Sequence, residues 1–119
     1  MTPSDRRSFR TDDPTQAIRY YLARNATEPG LRAAVVSCMD GLMVGGVGEG
    51  PLEALAAIGT CQTEGRPSVV RDCKDYGFDP DQLHTRVVDS SAGCFVVTSL
   101  GAPLGAADGV GSLLGRMLA

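Results

Sequence analysis

Apolar runs separated by glycine-rich breaks organise the first half of the chain. Residues 31–38 (LRAAVVSC) contain one strongly polar residue, Arg32, which predicts a strand covered on both faces. Asp40 and Gly41 follow. This pair favours a two-residue type I′ turn, in which both central residues adopt positive φ. Residues 42–47 then return as a second strand, so the pattern predicts a β-hairpin whose first strand lies inside a sheet.

A helix is predicted over residues 51–61, because Pro51 suits the first helical position after the break at residues 48–50. Its apolar positions surround the helix axis, and Glu53 is its single charged residue. A helix without a polar face must be covered on more than one side. The sheet is one cover. The second cover is predicted to be another subunit, because the small residues Ala56, Ala57 and Gly59 would let it approach closely. The alternative is that residues 68–76 of the same chain cover this side of the helix.

The remaining segments complete an α+β fold with a mainly antiparallel sheet and helices packed on it. Residues 1–12 are polar and predict a disordered N-terminal arm, and residues 13–119 predict a single domain. Local signals predict a first helix from Asp13 and Pro14, a short helix over residues 69–76 closed by Gly77, strands over residues 84–89 and 94–100, and a last helix from Ala107 and Asp108.

Composition and charge narrow the choice of partners. The chain has 119 residues and a net charge of −3. Lys and Arg form no cluster, so a nucleic-acid partner is not expected. No apolar run approaches the roughly 20 residues of a membrane-spanning helix, and no membrane partner is expected. The first residues lack the apolar core of a secretory signal, which favours a cytoplasmic location.

The four cysteines and the one histidine form no pattern typical of catalysis or metal binding. No two cysteines are spaced as a C-x-x-C pair, so buried free thiols are expected rather than a metal or redox site. His84 has no partner at a diagnostic spacing. The glycine-rich residues 45–50 lack the Lys and Ser or Thr of a phosphate-binding loop. The sequence therefore predicts no catalytic residue, no metal site and no cofactor, and the protein is not expected to be an enzyme. The cysteines are Cys38, Cys61, Cys73 and Cys94.

The run AAVVSCMDGLMVGGVG, with a helix before it and an Ala- and Leu-rich helix after it, resembles the roadblock/dynein light chain domain family. CFVVTSLGAPL and GVGSLLGRML resemble the final strand and closing helix of compact bacterial members. The resemblance implies a roadblock-like α/β/α sandwich over residues 13–119, with Asp40 and Gly41 in the hairpin turn. One departure is that residues 63–82 predict loop and short helix where the family usually has a third strand.

The function implied by the resemblance is that of a non-enzymatic regulator or scaffold for a small Ras-like GTPase, with an activating or tethering role. The protein would act as a homodimer or as a heterodimer with a paralogue. Residues 65–81 would then reshape the surface offered to the partner. The alternative is a small-molecule-sensing or adaptor α+β module without a GTPase partner. The residues implied for the dimer or partner interface are Leu52, Leu55, Ala56 and Gly59.

Overall fold

The computed structural model describes residues 13–118, and the predicted arm over residues 1–12 lies outside them. The elements follow the predicted order, which confirms the α+β class. They are α1 (Pro14–Asn25), β1 (Ala33–Cys38), β2 (Met43–Gly48), α2 (Leu52–Thr63), α3 (Val69–Asp75), a 3₁₀ turn (Pro80–Gln82), β3 (Leu83–Ser90), β4 (Gly93–Leu100) and α4 (Asp108–Leu118).

β1 lies inside the sheet, as its apolar run predicts. The described strands form one sheet in the order β2-β1-β4-β3, and all neighbouring strands are antiparallel. Val36 of β1 pairs with Gly45 of β2 on one side and with Val97 of β4 on the other. β2 and β3 are therefore the edge strands of this sheet.

Two apolar clusters cover opposite faces of the sheet, because successive strand residues point to opposite sides. On one face, α1 and α4 contribute Ile18, Leu22, Val110 and Leu114 to the first cluster. On the other face, α2 and α3 contribute to the second cluster. The result is a three-layered α/β/α arrangement. The helical members of the second cluster are Leu55, Ala56, Ile58, Val69 and Cys73.

The turn between β1 and β2 contains Asp40 and Gly41, but the prediction of a type I′ turn is wrong. Gly41 has a φ of +91°, whereas Ala106 is the sole non-glycine residue with positive φ among residues 13–118. The Gly41 N–H donates to the carbonyl of Cys38 at 3.0 Å, which places Met39 and Asp40 at the two central positions. A turn of this kind requires positive φ only at the glycine that follows it.

The register of the hairpin also shifts by one residue close to the turn. Val36 pairs with Gly45, but the next residue, Ser37, pairs with Met43. Val44 is consequently the extra residue of a β-bulge. β2 therefore begins at Met43 rather than at residue 42.

Local capping signals predicted several helix ends correctly. The Asp13 carboxylate accepts a hydrogen bond from the Thr15 N–H at 3.0 Å and caps α1. Gly77 follows α3 with a φ of +75°, a conformation that glycine adopts without steric cost. α2 extends to Thr63, two residues beyond its predicted end.

Candidate interaction surface

The inner face of α2 packs closely on the middle of the sheet. Leu55 and Ala56 are buried, and the Thr60 hydroxyl lies 3.1 Å from the Ser37 hydroxyl in a buried hydrogen bond. A Cβ atom at Gly59 would overlap the side chain of Thr98 on β4. Glycine at this position therefore lets the helix approach the strand more closely than any other residue would.

This packing places three of the four interface residues implied by the resemblance inside the fold. Leu55, Ala56 and Gly59 are buried against the sheet of their own chain, and Leu52 packs on the edge of the same cluster. The three buried residues form the inner face of α2 and offer no exposed surface to a second subunit, whereas Leu52 is half-buried. The sequence could not show this, because α2 has no polar side that would mark its outward direction.

The outer face of α2 carries a stripe of small uncharged residues. Ala57 is exposed, and Ala54 and Cys61 are half-buried. These three residues follow one another at helical spacing and share one side of the helix. Charges occur beside the stripe, at the exposed Glu53 and Glu64. The stripe itself therefore carries no charge, although Glu53, four residues before Ala57, borders it on the same side of the helix.

The β1–β2 turn extends this face. A Cβ atom at Gly41 would lie 3.7 Å from the Cα atom of Ala57, so the turn lies close to α2 at this residue. The same turn presents two exposed apolar side chains, Met39 at 42% and Leu42 at 67% exposure. We refer to these residues together as the α2 outer surface. Its members are Met39, Leu42, Ala54, Ala57 and Cys61.

α3 covers one flank of α2 within the same chain. Val69 and Cys73 of α3, with Phe78 after it, belong to the cluster that contains the inner face of α2. The alternative of internal cover by residues 68–76 is therefore confirmed for that flank. It does not extend to Ala57, which stays exposed.

The thiols are less uniformly buried than the sequence predicts. Cys73 is buried, Cys38 and Cys61 are half-buried, and Cys94 is exposed. The Cys94 thiol donates a hydrogen bond to Asp89 Oδ1 at 2.9 Å. This bond and the charge of the carboxylate raise the pKa of Cys94. Burial likewise raises the pKa of Cys38 and Cys73. These three thiols are less nucleophilic for that reason.

His84 lines a cavity of about 390 Å³ beside β3. Arg86 lines the same cavity and pairs with Asp108 at 2.9 Å. No sequence motif assigns a role to either residue. The signal was their alternation on β3, which places His84 and Arg86 on the same face of the sheet.

Comparison with family models, with curated proteins and with solved structures finds no match for this chain. Over residues 13–118, no three His, Cys, Asp or Glu residues are grouped in a way that could hold a metal ion. None of the described helices has both the length and the apolar character needed to cross a bilayer.

Proposed function

We propose that this protein is a non-enzymatic, dimeric regulator or scaffold for a small Ras-like GTPase and acts in the cytoplasm. The resemblance to the roadblock/dynein light chain domain supports the choice of partner class. The order of helices and strands over residues 13–118 is compatible with that resemblance, except over residues 63–82, where the family usually has a third strand. The second subunit is another copy of this chain or a paralogue.

The observation that carries the proposal is the α2 outer surface. Its helical part is uncharged and made of small side chains, and the adjoining turn exposes Met39 and Leu42. Exposed apolar side chains beside an uncharged helix stripe are typical of protein–protein contact sites. Small residues let the axis of a second helix come close, and a two-fold dimer would bury the same surface on both copies. Dimerisation is therefore assigned to the outer side of α2, not to its inner side.

The GTPase interaction is tested by affinity capture from the cell lysate of the source organism. The tagged protein is incubated with lysate in the presence of GDP or of a non-hydrolysable GTP analogue, and bound proteins are identified by mass spectrometry. We expect a small GTPase that is enriched with the analogue. The purified GTPase then gives a hydrolysis rate with and without this protein, which distinguishes activation from tethering.

A matched pair of variants makes the capture experiment specific. Ala57→Glu places a charge on the α2 outer surface, whereas Ala23→Glu makes the same change at an exposed position of α1. Because the dimer is the proposed binding form, we expect the first variant to lose the GTPase and the second variant to retain it. Absence of any GTPase with either nucleotide would contradict the regulator proposal.

A second candidate function, a small-molecule-sensing module without a GTPase partner, is favoured by the cavity beside β3. Its volume of about 390 Å³ falls within the range of about 300–1,000 Å³ that is usual for ligand sites.

A further inference from the structure

The cavity exists because α4 covers only part of β3. Gly111 of α4 contacts the backbone of Asp89, so the helix lies against the second half of the strand. α4 begins only at Asp108, which leaves the first half of β3 without a helix over it on this face of the sheet. The connection from β4 to α4 closes over this half with Leu104 and Ala107, both buried. A space of about 390 Å³ remains between them.

The cavity also reaches the open edge of the sheet. Its lining includes the consecutive residues 83–86, although successive strand residues point to opposite faces. It further includes Gln62 from α2, on the other side of the sheet. Over residues 13–118, no strand pairs with the outer edge of β3. A ligand could therefore enter from the edge without any displacement of a helix.

The lining combines an apolar floor with hydrogen-bond donors. Val97, Leu104 and Ala107 supply the floor. Arg86 carries a guanidinium with five N–H donors and no acceptor, and His84 and Gln62 add further donors beside it. None of the described residues that line the cavity is an Asp or a Glu. This chemistry suits a ligand that has an acceptor group at one end and an apolar body.

The charge at the rim favours a ligand with a single negative charge. Arg86 Nη2 donates to the Asp108 carboxylate at 2.9 Å, and the two side chains are 60% and 73% exposed. An exposed pair of this kind is held weakly, and the guanidinium keeps free donors for a second carboxylate. Asp108 would repel a dianion such as a phosphate monoester about twice as strongly as a monoanion at the same distance.

We propose that this cavity binds a small organic monocarboxylate, with the carboxylate on Arg86 and the apolar body on Val97 and Leu104. The site lies on the edge side of β3 and uses no residue of the α2 outer surface. The inference goes beyond the GTPase proposal and does not depend on it. Ligand binding is measured on the purified protein alone, so its failure and the failure of GTPase capture are separate results.

His84 provides the readout, because it is the one histidine of the sequence and gives a single set of ring proton signals. The purified full chain is titrated at fixed pH with octanoate and with phenylacetate, and the His84 ring signals are followed by NMR. Octanol, which lacks the charge, and inorganic phosphate, which lacks the apolar body, are the controls. We expect a saturable shift with at least one carboxylate, with a dissociation constant of about 1 mM or below. We expect no saturable shift with either control.

Two rim variants should change the affinity in opposite directions. Arg86→Gln removes the charged donor and should weaken carboxylate binding by about tenfold. Asp108→Asn removes the competing carboxylate and should strengthen binding by about threefold. Arg116→Gln, the same loss of charge at an exposed position in the last turn of α4, should leave the affinity unchanged. Both rim side chains are mostly exposed, so the variants are expected to fold.

Several outcomes would overturn the proposal. One is the absence of a saturable His84 shift with either carboxylate. A second is an equal shift with octanol, and a third is saturable binding of phosphate alone. Equal affinities of the wild-type protein and Arg86→Gln, in proteins with the same circular dichroism spectrum, would also overturn it.

Discussion

Cys94 of β4 and Asp89 of β3 lie opposite each other near the β3–β4 turn. The exposure of Cys94 depends on whether a helix covers that part of the sheet. The sequence places Cys94 in an apolar run and so predicts a buried thiol. In the structure it is exposed, as is Val87 on the same face of β3. Neither residue belongs to the apolar cluster that α2 and α3 form on this face. Strand alternation indicates the face of a residue, but not whether a helix reaches it.

Because Asp89 raises the pKa of Cys94, we expect this exposed thiol to be alkylated slowly. The carboxylate accepts the thiol hydrogen bond and opposes the thiolate charge, which raises the pKa of Cys94. Asp89→Asn removes the negative charge, so the pKa should fall and the thiolate fraction at pH 8 should rise. We expect iodoacetamide to label Cys94 severalfold faster in Asp89→Asn, as measured by peptide mass spectrometry over time. Labelling of Cys61 is the internal control, and equal rates at Cys94 would contradict this explanation.

At the scale of the element, the sequence predicts that α2 is a helix, but it does not predict which side of the helix faces the sheet. Its composition indicates that it is covered, and Pro51 marks its start. Ala54 and Ala57 are as apolar as Ala56, so the pattern contains no polar side to indicate which residues face outward. Close packing of Gly59 on Thr98 decides the orientation, and that contact joins segments far apart in the sequence.

The two sides of α2 should respond differently to the same substitution. Ala56 is 0% exposed, so Ala56→Glu would place a carboxylate in the core without a partner. We expect the free energy of unfolding to fall by about 3 kcal/mol or more. Ala57→Glu lies on the exposed side and should leave the folded structure intact. Urea unfolding followed by circular dichroism measures both, and a larger loss with Ala57→Glu than with Ala56→Glu would contradict the observed orientation.

The segment between α2 and β3 could be predicted well, because its signals are local. Gly77 closes α3, and Asp79 accepts a hydrogen bond from the Asp81 N–H at the start of the 3₁₀ turn. The predicted absence of a strand over residues 63–82 is confirmed. As a result, the outer edge of β3 is open within the described residues, and the cavity extends to that edge.

At the scale of the whole molecule, the order and class of the elements could be predicted, whereas the surfaces could not. Each helix and strand follows from the spacing of apolar and polar residues within its own segment. The cavity instead joins Gln62, the first half of β3 and the connection that contains Leu104. The α2 outer surface joins a turn to a helix. No single stretch of sequence contains either arrangement, so both appear only once the sheet brings the segments together.

The central claim is that two copies of the chain associate through the α2 outer surface, and its most direct test is the mass of the protein in solution. The chain has a mass of 12.4 kDa. Sedimentation equilibrium over a range of concentrations should give twice this mass for the wild-type protein and for Ala23→Glu. Ala57→Glu should give the mass of one chain while it keeps the wild-type circular dichroism spectrum. A wild-type protein that stays a monomer at every concentration would contradict self-association, and an Ala57→Glu variant that stays a dimer would contradict the role of the α2 outer surface.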